Sequence, residues 1–283
     1  MNHLALPQSL AEVWTQLKKM PRAMIYNGGT DVLAAQKGQT GFPDLICLER
    51  VGELQGVIQK GDRIGLGAGC THARLLAEPL VNDKLPVLVQ ALSVLGSPPI
   101  RNMGTLGGNI CTASPAGDTL PPLYALDAEL ELVREKGIRH IPLAEFITGP
   151  GATTLGRGEI LKTVWVKEPK GYNLQYYEKV GQRNALAISL VSLAAMLNLD
   201  RQGIIRAARL AWGSVGPTIQ TAPAVEKALV GHRLDRKTLD EAAFLVSRAV
   251  KPITDLRAGA EYRRVVAGRL LLRLLEPRFD QRS

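Results

Sequence analysis

Two segments with adjacent glycines, Asn27-Gly28-Gly29-Thr30-Asp31 and Thr105-Leu106-Gly107-Gly108-Asn109, constrain this chain more than any other feature. The second lies within Arg101–Asp118, which packs four Gly, three Thr or Ser, two Asn and one Asp into eighteen residues. No apolar run in that stretch is long enough for a strand or helix, so it is expected to be a loop presented by the elements around it. Glycine lets the main chain approach a ligand without a Cβ in the way, and closely spaced N–H groups with small hydroxyls suit a phosphorylated ligand. Together the segments point to a dinucleotide cofactor gripped from two sides by backbone N–H groups and hydroxyls, with Thr30 and Thr105 on the phosphate side. Taken alone, the first segment fits a plain tight turn better than an anion site, since adjacent glycines are common in turns. Its spacing is not G-x-G-x-x-G, so a Rossmann fold is not supported.

The chain around these segments reads as mixed α and β. Ser9 precedes Leu10, Val13, Trp14 and Leu17, a capped amphipathic helix that Pro21 stops. A short buried strand, Ala23 to Tyr26, runs into the first glycine pair, and Thr30-Asp31 caps a helix over Val32 to Lys37. That junction of strand end and helix start favours an anion. Asp44 to Leu48 is a strand, and Val57-Ile58 pairs with Ile64 to Ala68 across Gly61-Asp62 as a hairpin. Helices follow over Ala73–Ala77 and Pro86–Leu95. His72, a lone histidine beside a helix start, is expected to be a surface or capping residue rather than a catalytic one. Asp118 is placed either to cap a helix through Ala125 or to accept hydrogen bonds from ribose hydroxyls, since a diphosphate would repel it.

Glu129–Arg134 and Gly137–Ile141 form a second hairpin, Phe146–Gly151 a loop and Glu159–Val166 a strand. Turn residues cluster at Pro169-Lys170-Gly171, the expected boundary between a domain of residues 1–168, with lobes of about 1–55 and 56–168, and a smaller one of 172–276. The smaller domain is read as three antiparallel strands, Leu174–Val180, Ala187–Leu199 and Ile204–Trp212, then helices around Ala224–Leu229, Leu239–Val250 and Ala260–Leu275. Arg263, Arg264, Arg269 and Arg273 on the last helix read as a solvated basic face.

Composition narrows the function classes. The net charge of +9 is spread along the chain and only 5% of residues are aromatic, which points away from nucleic acid. Cys47, Cys70 and Cys111 stand far apart without a C-x-x-C pair, against a disulfide framework, a zinc site or an iron–sulfur cluster within this chain. No stretch reaches the roughly 18 apolar residues of a membrane span, and the N-terminus lacks a signal pattern, so the protein is read as cytoplasmic. Hydrolase, metalloprotease and P-loop templates are missing too. A chain poor in acid–base groups and rich in cofactor loops suits chemistry done by the cofactor itself, so no catalytic and no metal-binding residue is assigned.

The motifs Asn27-Gly28-Gly29-Thr30-Asp31, Ile100-Arg101-Asn102, Thr105 to Ile110 and Ala113-Ser114-Pro115-Ala116-Gly117-Asp118 closely resemble the FAD-binding (medium) subunit of molybdenum hydroxylases. This is the xanthine dehydrogenase and carbon monoxide dehydrogenase family. The likeness continues through Phe146 to Gly151, Glu159-Ile160-Leu161, Tyr177 to Arg183, Gly213 to Pro217 and Ala258 to Arg264, in the family's order over nearly the whole chain. Asn27 stands where the family usually has Ala, which leaves backbone donors intact.

The resemblance implies an α+β protein: a two-part FAD-binding domain of the p-cresol methylhydroxylase type, followed by a C-terminal domain of antiparallel sheet plus helices. Tyr26, Asn27, Gly28, Gly29, Thr30, Asp31 and Val32, with Thr105, Leu106, Gly107, Gly108 and Asn109, match the diphosphate loops. Ser114 belongs to the motif that ends at Asp118, which matches an FAD-contacting aspartate. Leu161 matches an apolar residue by the flavin, and Lys179 a lysine near it. In the family, electrons from a molybdenum cofactor pass through iron–sulfur clusters on a partner chain to this FAD and on to an acceptor such as NAD. The implied assembly is a heterotrimer of iron–sulfur, molybdenum and FAD subunits, single or dimerised. Two other functions remain open: a stand-alone flavin reductase or oxidase, whose covalently flavinylated relatives often carry His near the first loop where this chain has Thr30, and a non-enzymatic assembly subunit.

Overall fold

In the computed structural model, which describes residues 3–35, 41, 43–183 and 186–276, Ser9 caps the first helix as its spacing predicts. Its hydroxyl accepts from the Glu12 N–H, and Leu10 and Val13 turn inward. That helix, α1 (Leu10–Lys19), packs on a small parallel sheet of β1 (Leu4–Ala5), β2 (Met24–Tyr26) and β3 (Leu45–Cys47), in the order β1-β3-β2. Between β2 and β3 lies α2 (Thr30–Ala35). Gln36 and Lys37, the expected end of that helix, fall outside the described residues.

A second lobe is built on the antiparallel order β4-β5-β10-β6-β7. Its strands are β4 (Val57–Lys60), β5 (Arg63–Gly67), β6 (Glu129–Val133), β7 (Ile138–Pro142) and β10 (Ile160–Lys167). The chain crosses from β5 to β6 through six short helices: α3 (His72–Ala77), α4 (Pro79–Lys84), α5 (Pro86–Val94), α6 (Pro98–Met103), α7 (Leu106–Thr112) and α8 (Leu120–Ala125). After β7 come α9 (Leu143–Phe146) and a small hairpin of β8 (Ile147–Gly149) and β9 (Ala152–Thr153), where the sequence suggested only a loop.

The stretch Arg101–Asp118 is likewise no plain loop, because α6 ends in it and α7 lies inside it. Ser97 caps α6, Thr105 caps α7, and Leu106, Gly107 and Ile110 are buried on the core side. Two helical glycines cost about 1 kcal/mol each. Burial of Leu106 and Ile110, roughly 1.5–3 kcal/mol apiece, outweighs that. Ala113 closes α7 in the left-handed conformation, φ 48°.

The last part forms the sheet β11-β12-β13-β14 from β11 (Leu174–Val180), β12 (Val191–Leu199), β13 (Ile205–Gly213) and β14 (Gln220–Thr221). β12 starts four residues later than the sequence suggested, at Val191 instead of Ala187. Helices α10 (Pro223–Leu229), α11 (Arg236–Ala249) and α12 (Ala260–Arg269) cover one face. The final helix changes at Leu270 into a 3-10 segment ending at Leu275. β12 is buried on both sides, and its alternation divides two cores. Val191, Leu193, Ala195 and Leu197 face α10–α12, whereas Ala194 and Met196 join the core of the second lobe. Pro169-Lys170-Gly171 therefore interrupts the chain without interrupting the packing. The α+β class expected from the resemblance is the one observed.

Arg263 departs from the expected basic face. It is buried, and its guanidinium donates to the Leu190 and Ser214 carbonyls and to Asp255. Arg264 pairs with Glu261, and Arg273 with Glu178 and Glu276. The spacing of cations along a helix could not reveal that one of them turns inward to tie three segments together.

Candidate functional site

The first glycine segment turns the chain from β2 into α2. Gly29 takes φ +71°, a conformation costly for other residues. Gly28 is needed for a different reason: a Cβ there would collide with the Met103 carbonyl at the end of α6. The two glycine segments thus touch main chain to main chain. Among the described residues, the N–H groups from Asn27 through Val32 have no hydrogen-bond partner within the protein. A run of free amides at a strand-to-helix turn is a donor set for an anion.

The second segment is arranged differently from the expectation. Its Leu106 N–H donates to Cys70 O (3.0 Å), Gly107 N–H to Ala68 O (2.8 Å) and Asn109 N–H to Thr105 O (3.0 Å). Gly108 N–H is taken by the Thr105 hydroxyl at 3.2 Å. The Leu106 and Gly107 donors seat α7 against the end of β5, and the Gly108 and Asn109 donors close its own first turn. Gly107 serves that seat, since a Cβ would lie 2.8 Å from the Ala68 Cβ. What remains for a ligand is the Thr105 N–H, which donates to no described residue, the Thr105 hydroxyl proton and the Asn109 amide nitrogen, because the Asn109 Oδ1 already accepts from Thr119 at 2.6 Å.

The two segments face one another across a cavity of about 390 Å³. Tyr26, Asn27, Gly28, Gly29, Thr30, Asp31 and Val32 line one side, and Thr105, Gly108 and Asn109 the other. The Thr112 hydroxyl donates to the Asp31 carboxylate and links the two walls. A smaller, mostly apolar cavity of about 140 Å³ adjoins it, sharing Tyr26, Asn27, Thr105 and Gly108 and adding Gly107, Leu48, Leu155 and Leu161. Leu106, Ser114, Asp118 and Lys179 line neither cavity. Leu106 is fully buried, and the Ser114 hydroxyl accepts from the Ala116 N–H.

Asp118 neither caps α8 nor faces open space. Thr119 flanks that helix, without a side-chain cap bond. The Asp118 carboxylate accepts from Tyr177 Oη at 3.0 Å and from Lys179 Nζ at 2.7 Å, and Lys179 also donates to Val94 O at 2.7 Å. This buried cluster joins β11 to the segments before α8 and at the end of α5. Burial raises the Asp118 pKa against the opposing pull of Lys179 and Tyr177. Lys179 and Asp118 reach the cavity through their neighbours: Val94 precedes the lining residue Leu95, and Thr119 holds the lining residue Asn109.

Sequence reasoning missed several lining residues. His72 is buried in the wall of the larger cavity, not exposed beside a helix start. Cys111 lines both cavities, and burial pushes its thiol up to about 12. Glu159, at the edge of the smaller cavity, accepts from Arg139, Arg134 and the Gly156 N–H. Those bonds, with the Arg139 contact first, lower its pKa from 4.5 to about 2. A hint for His72 was present in Gly67-Ala68-Gly69-Cys70-Thr71, a second glycine-rich strand-to-helix turn.

Comparison with known proteins gives the class first. A family described as "FAD binding domain in molybdopterin dehydrogenase" matches residues 2–167, and one described as "CO dehydrogenase flavoprotein C-terminal domain" matches residues 175–277. The protein is thus an FAD-binding oxidoreductase subunit. It is 31% identical to the putative xanthine dehydrogenase FAD-binding subunit of Escherichia coli (strain K12), over 90% of this chain and 88% of that one. It is 29% identical to the carbon monoxide dehydrogenase medium chain of Afipia carboxidovorans, over 95% and 94%. The structure of quinoline 2-oxidoreductase from Pseudomonas putida 86 has a chain that superposes with a TM-score of 0.91 at 28% identity, over 97% of this chain and 95% of that one. The chain belongs to the FAD-binding medium subunits of molybdenum hydroxylases, the family of the xanthine and carbon monoxide dehydrogenases.

Proposed function

We propose that this chain is the electron-transfer subunit of a heteromeric, xanthine dehydrogenase-like molybdenum hydroxylase, holding FAD between iron–sulfur clusters on a partner chain and NAD or another terminal acceptor. The observation that carries the reading is the run of amides from Asn27 through Val32 that donate to no described residue, facing Thr105 and Asn109 across one cavity. That donor set fits a diphosphate. The adjoining apolar cavity at Leu161 fits part of an aromatic ring system. When bound, FAD supplies redox chemistry that accepts electrons singly and releases them in pairs. The residues of this chain bind and orient it: Gly28 and Gly108 keep the walls close and clear, Thr30 and Thr105 donate hydroxyls, and the Asp118–Lys179 pair steadies the wall behind Leu95 and Asn109.

In this reading the division falls between an FAD-binding domain of 1–168 and a C-terminal domain of 172–276, and the assembly is a cytoplasmic heterotrimer with iron–sulfur and molybdenum-cofactor subunits. No described helix is long and apolar enough to cross a membrane. The test has two arms. Purified chain reconstituted with FAD is expected to hold it non-covalently, so that acid precipitation releases the flavin. Native affinity purification is expected to bring down further chains carrying iron, sulfide and molybdenum. A chain that stays colourless after reconstitution refutes the FAD assignment, and one that holds FAD but co-purifies with no metal-bearing partner refutes the heteromeric reading.

A further inference from the structure

His72 is the first residue of α3 and only 3% exposed. Its Nδ1 is sealed from solvent without a hydrogen-bond partner, and no described residue bonds its Nε2. A buried polar group left in that state is unfavourable, so a fold that keeps one calls for a reason. The ring lies against Gly104: a Cβ there would be 3.1 Å from the imidazole Cδ2 and 3.3 Å from Nε2. Gly104 in turn abuts Gly28, since a Cβ on Gly28 would lie 3.1 Å from the Gly104 nitrogen. The imidazole therefore stands directly behind the point where the two glycine segments meet, in the wall of the cavity bounded by the free amides of Asn27 to Val32.

We propose that His72 is a cofactor-binding residue, contributing a hydrogen bond from its Nε2 to the diphosphate held between the glycine segments. The inference rests on the FAD reading above. Before the ligand binds, the ring is held neutral: burial first, and the Arg101 charge second, lower its pKa to about 4. An imidazole that already had a protein partner could not offer this without losing that bond. One whose Nε2 is bonded by no described residue, in the wall of the cavity, can.

The test compares the wild-type chain with His72→Leu and His72→Gln by FAD titration, thermal unfolding without FAD, and the phosphorus NMR spectrum of bound FAD. His72→Leu is expected to weaken FAD binding roughly 10- to 100-fold and to move the diphosphate resonances. Without FAD it should unfold at an unchanged or higher temperature, because it removes an unpaired polar group rather than a contact. His72→Gln, which retains a donor, should stay within roughly threefold of wild type. A purely structural histidine gives the reverse pattern, lower stability without FAD and unchanged affinity and resonances, and that result overturns the proposal. Should His72→Leu not fold, the wild-type complex decides alone: NMR coupling between the His72 ring and the diphosphate phosphorus supports the contact and its absence refutes it. A wild-type chain that binds no FAD overturns the FAD reading and this inference with it, whereas wild-type binding with an unaffected leucine variant overturns only the inference.

Discussion

Gly108→Val separates the cavity from the fold more cleanly than any other single change. Gly108 is exposed toward the cavity, and an added Cβ would meet only the Thr105 hydroxyl, at 2.9 Å. Glycine and valine differ by only a few tenths of a kcal/mol within a helix. A small shift of Thr105 then leaves the FAD-free chain within about 1 kcal/mol of wild-type stability. The valine methyls instead occupy the space the ligand needs. Overfilling a packed site costs about 1–3 kcal/mol, which corresponds to FAD binding weakened roughly 5- to 150-fold. Fluorescence titration of FAD into the cofactor-free protein reads the affinity, and thermal unfolding reads the fold. Gly28→Ala is the contrast, because its collision with the Met103 carbonyl involves main chain that cannot rotate away. It should lower stability even without FAD. If Gly108→Val binds FAD as tightly as wild type, the cavity between the glycine segments is not the cofactor site.

Two further outcomes follow from the buried charges. Glu159 has its pKa lowered from 4.5 to about 2, so its contribution to stability is present above 4.5 and is lost as pH falls toward about 2. Wild type should therefore lose more stability than Glu159→Gln across that window in denaturant unfolding, and parallel curves would refute the role given to Glu159. Lys179→Met strands the buried Asp118 carboxylate, at a cost of about 3–5 kcal/mol, while adding Asp118→Asn should recover much of it. Additive single effects in a double-mutant cycle would show that the pair is not coupled.

Much of the local structure was legible because it rests on short-range chemistry. Ser9 caps α1, Asp62 sits in the turn between β4 and β5, and the periodicity of Pro86–Leu95 makes α5. The glycine segments were recognisable for the same reason: adjacent glycines amid Thr and Asn mark a main chain that must approach something closely. α7 was not legible, since two glycines oppose a helix locally and only the burial of Leu106 and Ile110 against the sheet reverses the balance. Arg263 and His72 were misjudged on similar grounds, because a polar residue's fate depends on what packs over it.

Residue types and their order were enough to determine that this chain is an α+β member of the medium-subunit family, with two glycine segments as its focus. Which donors those segments have to offer was decided only by the tertiary structure. The amides of the first segment have no partner in the described fold, whereas those from Leu106 to Asn109 are used up in seating α7 on the end of β5 and in closing its first turn. A hydrogen bond between residues distant in the chain leaves no trace in either one's neighbours. The division of labour between two similar glycine segments therefore emerges only once the chain is folded.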